Sequence, residues 1–154
     1  VIEDIRSTIF NLRPMTFDDL GLKASFERLL DFLNADRDYT MDVEIDDVSC
    51  ETDDYFCITL YRVVQECLLN IKKHSQATKI LFHCKKAEQQ YEILIQDNGK
   101  GFTMEEAEDK ANSHFGLALI HEGVVLLNGT IHISSVIGQG TTIDIIIPLD
   151  LHFS

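Results

Sequence analysis

Apolar residues recur along the chain with two different periods, near 3.6 in some segments and two in others, and this switching outlines the elements. Ile2, Ile5, Ile9 and Leu12 follow one another at steps of three, four and three and stop at Pro14. Barely two heptads fit the tail of a coiled coil or an ordinary amphipathic helix, and residues 1–14 are read as the end of a dimerisation-type helix and a linker. After a turn expected from Thr16 to Gly21, Leu22, Phe26, Leu29, Leu30 and Leu33 mark an amphipathic helix. Met41 to Asp46 alternates apolar with acidic residues, as a half-buried strand does. The longest helical pattern runs from about Asp53 to His74, with Leu60, Val64, Cys67, Leu68 and Ile71 on one face. Thr78 to Lys86 and Gln90 to Asp97 read as strands, and the short Ala87-Glu88-Gln89 link makes them an antiparallel hairpin. A further helix uses Leu117, Ile120, Val124 and Leu127 and closes at Asn128-Gly129. Ile131 and Ile133, then Ile143, Ile145 and Ile147, give a last hairpin across Gly138 to Thr141. Hairpin-linked strands beside helices predict an α+β class: a two-layer sandwich of a mixed, mostly antiparallel sheet with helices on one face. One domain is expected over residues 15–150, with 151–154 as a tail.

Composition narrows the choice of partners. The 154 residues are 45% hydrophobic, enough for one domain that buries roughly two thirds of its unfolded surface. Acidic residues outnumber basic ones 26 to 13, and the net charge of -13 repels a phosphate backbone, so nucleic acid is not an expected partner. Four cysteines form no Cys-x-x-Cys pair, and Cys57, Cys67 and Cys84 lie within apolar periodic segments. They read as small core residues in a reducing compartment. Six histidines show no metal-ligand spacing such as His-x-x-x-His, so no structural metal is expected. No stretch has the length of a membrane span or the pattern of a signal peptide. A cytoplasmic domain without direct membrane contact is therefore expected, whether its parent protein is soluble or anchored elsewhere.

Two stretches carry candidate chemistry. In Tyr91-Glu92-Ile93-Leu94-Ile95-Gln96-Asp97 the period of two places Asp97 on the same inward face as Tyr91, Ile93 and Ile95. A carboxylate at the end of an apolar row is costly unless a donor, such as an amino group, meets it. Gly99 and Gly101 follow at once and permit close backbone approach to a flat ligand, although Asp-Asn-Gly is also an ordinary turn. On the long helix, Arg62, Glu66, Asn70, Lys73 and His74 share one arc. That arc is either a solvated stripe or a site where acid, amide and ammonium groups hold a metal-bound polyphosphate. Thr103 to Ser113 is acidic and lacks an apolar stripe, as a mobile cover over the Asp97 region would.

Taken in order, Glu66-x-x-x-Asn70-x-x-Lys73-His74, Asp97-x-Gly99-x-Gly101, His114-Phe115-Gly116-Leu117 and Gly138-x-Gly140-Thr141 resemble the four nucleotide-binding boxes of the GHKL, or Bergerat, ATP-binding fold. That family includes sensor histidine kinases, type II topoisomerases and large heat-shock chaperones. Leu12-Arg13-Pro14, Asp18-Asp19-Leu20-Gly21-Leu22 and Arg62-Val63-Val64-Gln65-Glu66 look like the DegS- and NarX-type histidine kinases that signal to LuxR-type response regulators. The resemblance runs from about Ile2 to Leu149.

It implies the following roles. Asp97 would accept from the adenine amino group, Asn70 would complete the shell of a Mg²⁺ ion on ATP, and Lys73 and His74 would meet phosphate or ribose oxygens. Glu66 would have a metal-shell or structural role. Gly99 and Gly101, followed by Phe102, would shape the pocket floor. Gly116 would start a helix close to the phosphates, with Leu117 beside it. Gly140 and Thr141 would close the adenine side, Thr141 holding a water against the ring. The product would be a protein histidine kinase's catalytic half, the acceptor histidine lying on its own dimerisation domain within a homodimeric parent. No histidine of that kind precedes the boxes here, and His114, His121 and His132 follow them. An anti-sigma-type serine kinase and a catalytically silent nucleotide-binding module share the same boxes. Ala118 and Gly123 depart from the kinase pattern, and Gly123 is expected to weaken its helix by about 1 kcal/mol relative to Ala.

Overall fold

The computed structural model describes residues 17–35, 37–48, 54–103, 105 and 116–149. Among these residues, five strands form one sheet: β1 (Thr40–Ile45), β2 (Lys79–Ala87), β3 (Gln90–Asp97), β4 (Thr130–Val136) and β5 (Gly140–Pro148), in the order β1-β2-β3-β5-β4. Only β1 and β2 run parallel; the other three pairings are antiparallel, as a mostly antiparallel mixed sheet requires. The period of two divides each strand between the faces. Ile80, Phe82 and Cys84 of β2, Tyr91, Ile93 and Ile95 of β3, and Ile143, Ile145 and Ile147 of β5 are all buried on one side.

Three helices cover that side: α1 (Phe17–Asn34), α2 (Asp54–Asn70) and α3 (Leu117–Leu126). Leu22, Phe26, Leu29 and Leu33 of α1 and Phe56, Leu60, Val64 and Leu68 of α2 join the strand residues in one apolar core. The Phe26 ring meets Phe82 edge-on at 5.6 Å between centroids, which fixes α1 on β2. Among the described residues no helix is long and apolar enough to cross a membrane.

Four expectations change. The segment read as a turn from Thr16 to Gly21 is already helical from Phe17; the break is confined to Gly21, at φ 79°. Asp47 marks the restart beyond it, its Oδ1 accepting the Lys23 N–H at 2.9 Å. The long helix is α-helical only to Asn70, and Ile71–Ser75 continues as a π turn. Gly123, expected to weaken α3, is buried, and a Cβ there would overlap Val63 Cγ2. Its missing side chain lets α3 lie close on α2. Cys57 is disulfide-bonded rather than free, whereas Cys67 and Cys84 are free buried thiols.

The α3 terminus is built as its sequence suggests, with the left-handed residue one place earlier. Asn128, at φ 60°, donates its N–H to Val125 O, and Gly129 donates to Val124 O. That pair of bonds satisfies the last carbonyls of the helix. The helix and linker expected over residues 1–14, the tail at 151–154 and nearly all of the cover expected from Thr103 to Ser113 lie outside the described residues.

Candidate functional site

Asp97 is the last residue of β3, paired with Ile80 on one side and Thr141 on the other. Its Oδ1 accepts the Gly99 N–H at 2.8 Å, and a backbone bond from Thr141 also reaches the carboxylate. Burial outweighs both bonds and holds its carboxyl above the usual carboxylate range. The ligand-free protein therefore keeps a half-buried acceptor whose charge is under-compensated. A donor arriving there would relieve that cost.

The loop after Asp97 is fastened by its backbone. Lys100 donates its N–H to Ser75 O at 2.7 Å and its carbonyl accepts from Gly138 N at 2.7 Å. Phe102 N donates to Ser135 Oγ at 2.9 Å, and that hydroxyl lies 2.8 Å from Thr141 Oγ1. Asn98 Oδ1 accepts from the N–H groups of both Thr78 and Lys79 at 2.9 Å, closing the end of β2. Two glycines make this packing possible. A Cβ on Gly99 would overlap Ser75 O, and one on Gly140, whose φ is 101°, would overlap Asp97 O.

Between this loop and the end of α2 lies a cleft of about 120 Å³. The π turn matters here, because Asn70, Ile71, His74 and Ser75 all line it. Asp97, Thr141 and Lys100 supply the facing polar groups; Leu117, Ile133 and Ile143 supply apolar walls, with Gly101 and Phe102 at the edge. Cys67 also lines the cleft, its thiol pushed up to about 12 by burial, so it stays neutral.

Other expected residues sit behind or beside the cleft. Glu66 is half-buried at the start of α3: a Cβ on Gly116 would stand 2.7 Å from Glu66 Oε1. Burial raises the Glu66 carboxyl, and the Lys73 charge partly offsets that rise. Lys73 itself is exposed, outside the cleft wall, and Arg62 is exposed too. Gly99, Gly116 and Gly140 act through backbone approach and do not form the wall themselves. Sequence reasoning missed Lys100, Ile71, Ser75, Ile133 and Ile143 as lining groups. Lys100 stood in plain view between two glycines, whereas Ile133 and Ile143 become neighbours only through the β4–β5 register.

A family model described as "Histidine kinase-, DNA gyrase B-, and HSP90-like ATPase" matches residues 57–151. Signal transduction histidine-protein kinase/phosphatase DegS of Bacillus subtilis is 39% identical over 146 residues, covering 90% of this chain and 37% of that protein. Sensor histidine kinase LiaS of the same organism is 32% identical over 148 residues, covering 95% and 39%. Among solved structures, the Erythrobacter litoralis EL346 blue-light activated histidine kinase superposes with a TM-score of 0.74 at 19% identity, over 93% of this chain and 46% of that one. Acinetobacter baumannii histidine kinase AdeS gives 0.68 at 21%, over 97% and 80%. The chain thus spans about two fifths of the length of these curated relatives. The structural neighbours, at such identities, speak for the fold.

Proposed function

The chain belongs to the histidine kinase-, DNA gyrase B- and HSP90-like ATPase family, as the nucleotide-binding domain homologous to sensor histidine kinases, and from that premise we propose how its cleft works. The domain binds ATP and acts as the catalytic half of a cytoplasmic two-component kinase. The observation that carries this reading is Asp97: a half-buried carboxylate with a raised pKa, at the end of a cleft with apolar walls. Those groups suit a flat aromatic base bearing an amino donor.

From that end the polar groups order the rest of the nucleotide. Thr141 lies beside Asp97 and its hydroxyl is held by Ser135. His74 and Lys100 face the cleft and would meet phosphate oxygens, while exposed Lys73 would reach them from the rim. Asn70 offers a hard carboxamide oxygen suited to a Mg²⁺ ion, which would offset phosphate charge. Glu66, close to Gly116 and electrostatically coupled to Lys73, holds the start of α3 rather than activating water. The γ-phosphoryl group passes to a histidine on the kinase's own dimerisation domain, in a homodimeric parent that signals to a LuxR-type response regulator. Positioning of that acceptor supplies much of the rate, so the domain alone transfers negligibly.

The test has two arms. Calorimetry with Mg²⁺ should show ATP binding that Asp97→Asn weakens by about 1.5–3 kcal/mol, roughly 10- to 150-fold, because a charge-assisted bond is lost. Incubation with labelled ATP and a separate dimeric helical domain bearing a histidine followed by an acidic residue should label that domain with an acid-labile, alkali-stable product. Unaltered affinity in Asp97→Asn would remove the carboxylate from base recognition. An acid-stable phosphoserine would favour the anti-sigma-type serine kinase, and tight binding without transfer a silent module.

A further inference from the structure

The face of the sheet turned away from the helices carries a second cluster. Asp42 and Glu44, two apart on β1, share one face, and Glu44 is paired across the parallel ladder with His83 of β2. His83 Nε2 lies 3.1 Å from Asp42 Oδ1 and 3.8 Å from Glu44 Oε2. One donor atom from each of the three residues falls within 4.8 Å of the others. We propose that Asp42, Glu44 and His83 form a binding site for a transition-metal dication of the Zn²⁺ class.

Geometry comes first. Ligands at the usual 2.0–2.1 Å from a tetrahedral Zn²⁺ stand about 3.3 Å from one another, a spacing that the two His83 distances bracket. The carriers are paired strands, so small side-chain rotations suffice and no backbone has to move. The His83 side chain is 17% exposed, while Asp42 and Glu44 are 65% and 58% exposed. The imidazole is thus held in place, and the carboxylates can close on an ion from the open side.

Charge and donor type come next. Lys85 Nζ already stands 3.8 Å from Glu44 Oε1, so Glu44 holds a cationic group in the metal-free protein. An ion bound here would compete with that ammonium group. The ring would keep its proton on Nδ1 and offer the Nε2 lone pair. One imidazole with two carboxylates suits Zn²⁺, Co²⁺ or Ni²⁺; Mg²⁺ prefers an all-oxygen, near-octahedral shell. The spacing of histidines along the chain gave no hint of this site, because its members are brought together by the β1–β2 register.

The whole chain, stripped of metal, is titrated with ZnCl2 by calorimetry and with CoCl2 by visible absorbance. One ion per chain is expected, and millimolar Mg²⁺ should not displace it. His83→Ala and His83→Gln should each weaken binding on the order of 10- to 100-fold or more. Asp42→Asn and Glu44→Gln should weaken it too, and His132→Ala, on β4 at the far edge of the sheet, should leave it unchanged. Lys85→Gln should tighten binding, a sign that a mere fold-stabilising ion pair does not produce. Wild-type affinity in both His83 variants would mean adventitious binding at other histidines and would overturn the proposal. So would equal displacement by Mg²⁺, or weaker binding in Lys85→Gln.

Discussion

Gly123→Ala sets helix propensity against packing, and the structure says which should win. In an exposed helix the change stabilises by about 1 kcal/mol. In α3 the added methyl would overlap Val63 Cγ2 and lie 3.9 Å from Thr59 Cγ2. Val63 is 1% exposed and β-branched, with little rotamer freedom on a helix, so it cannot simply swing aside. Overpacking of this kind costs about 1–3 kcal/mol. The net expectation is a loss of up to about 2 kcal/mol, or a Tm lower by up to roughly 8 °C for a domain of this size. The same strain should reach the cleft, because α3 begins at Leu117 on its wall and next to Gly116 and Glu66. Urea unfolding of Gly123→Ala, Val63→Ala and the double variant measures the coupling, since Val63→Ala makes room for the methyl. The double variant should lose less than the sum of the singles. A Gly123→Ala protein about 1 kcal/mol more stable than wild type, with additive energies, would refute the close α2–α3 contact.

Three other outcomes are expected. Asn70→Ala should weaken ATP binding more with Mg²⁺ than without it, as calorimetry under both conditions would report; equal losses would place Asn70 on the base or in the fold. Gly99→Ala would drive a methyl into the Ser75 carbonyl, so urea unfolding should show a loss of about 1–3 kcal/mol, with weaker ATP binding. For Asp97 the folded protein holds the proton more tightly than the unfolded chain does, so its contribution to stability is present at low pH and is lost as pH rises through the raised folded value. Ligand-free Asp97→Asn should therefore gain stability relative to wild type as pH rises from about 4, the unfolded carboxylate's value, through the raised folded value, read from paired melts; a relative loss over that rise would refute the burial argument.

The inward carboxylate could be read from the sequence because a strand's period is rigid: Tyr91, Ile93 and Ile95 fix the face on which Asp97 must fall. The polar arc on the long helix was only half legible. Counting 3.6 residues per turn placed Asn70, Lys73 and His74 together, but the π turn at Ile71–Ser75 separates them, leaving Asn70 and His74 in the cleft and Lys73 outside it. Nothing in Ile-Lys-Lys-His-Ser announces that wider turn. Gly123 misled for a related reason: propensity is a local property, whereas the Val63 contact belongs to a helix more than fifty residues earlier in the chain. The Asp42, Glu44 and His83 cluster needed a parallel β1–β2 pairing that spacing cannot supply.

How the cleft can hold an under-compensated carboxylate and still be well formed follows from which groups hold the Asp97 loop. Backbone bonds tie Lys100 to Ser75 on one side and to Gly138 on the other, so the Lys100 side chain is not needed to hold the loop. Asn98 and Ser135, whose side chains do brace it, lie outside the cleft lining. Asp97, Lys100 and Phe102 are thereby left to face a ligand. Asp97 also braces the loop through the Gly99 N–H, yet burial outweighs that bond and the one from Thr141 and keeps its carboxyl raised. The same loop touches the π turn that carries His74 and the hairpin that carries Thr141, so a ligand seated on Asp97 meets polar groups whose spacing is already fixed. On the proposed reading, little ordering of these groups would then oppose binding, and the under-compensated carboxylate of Asp97 would favour an arriving donor.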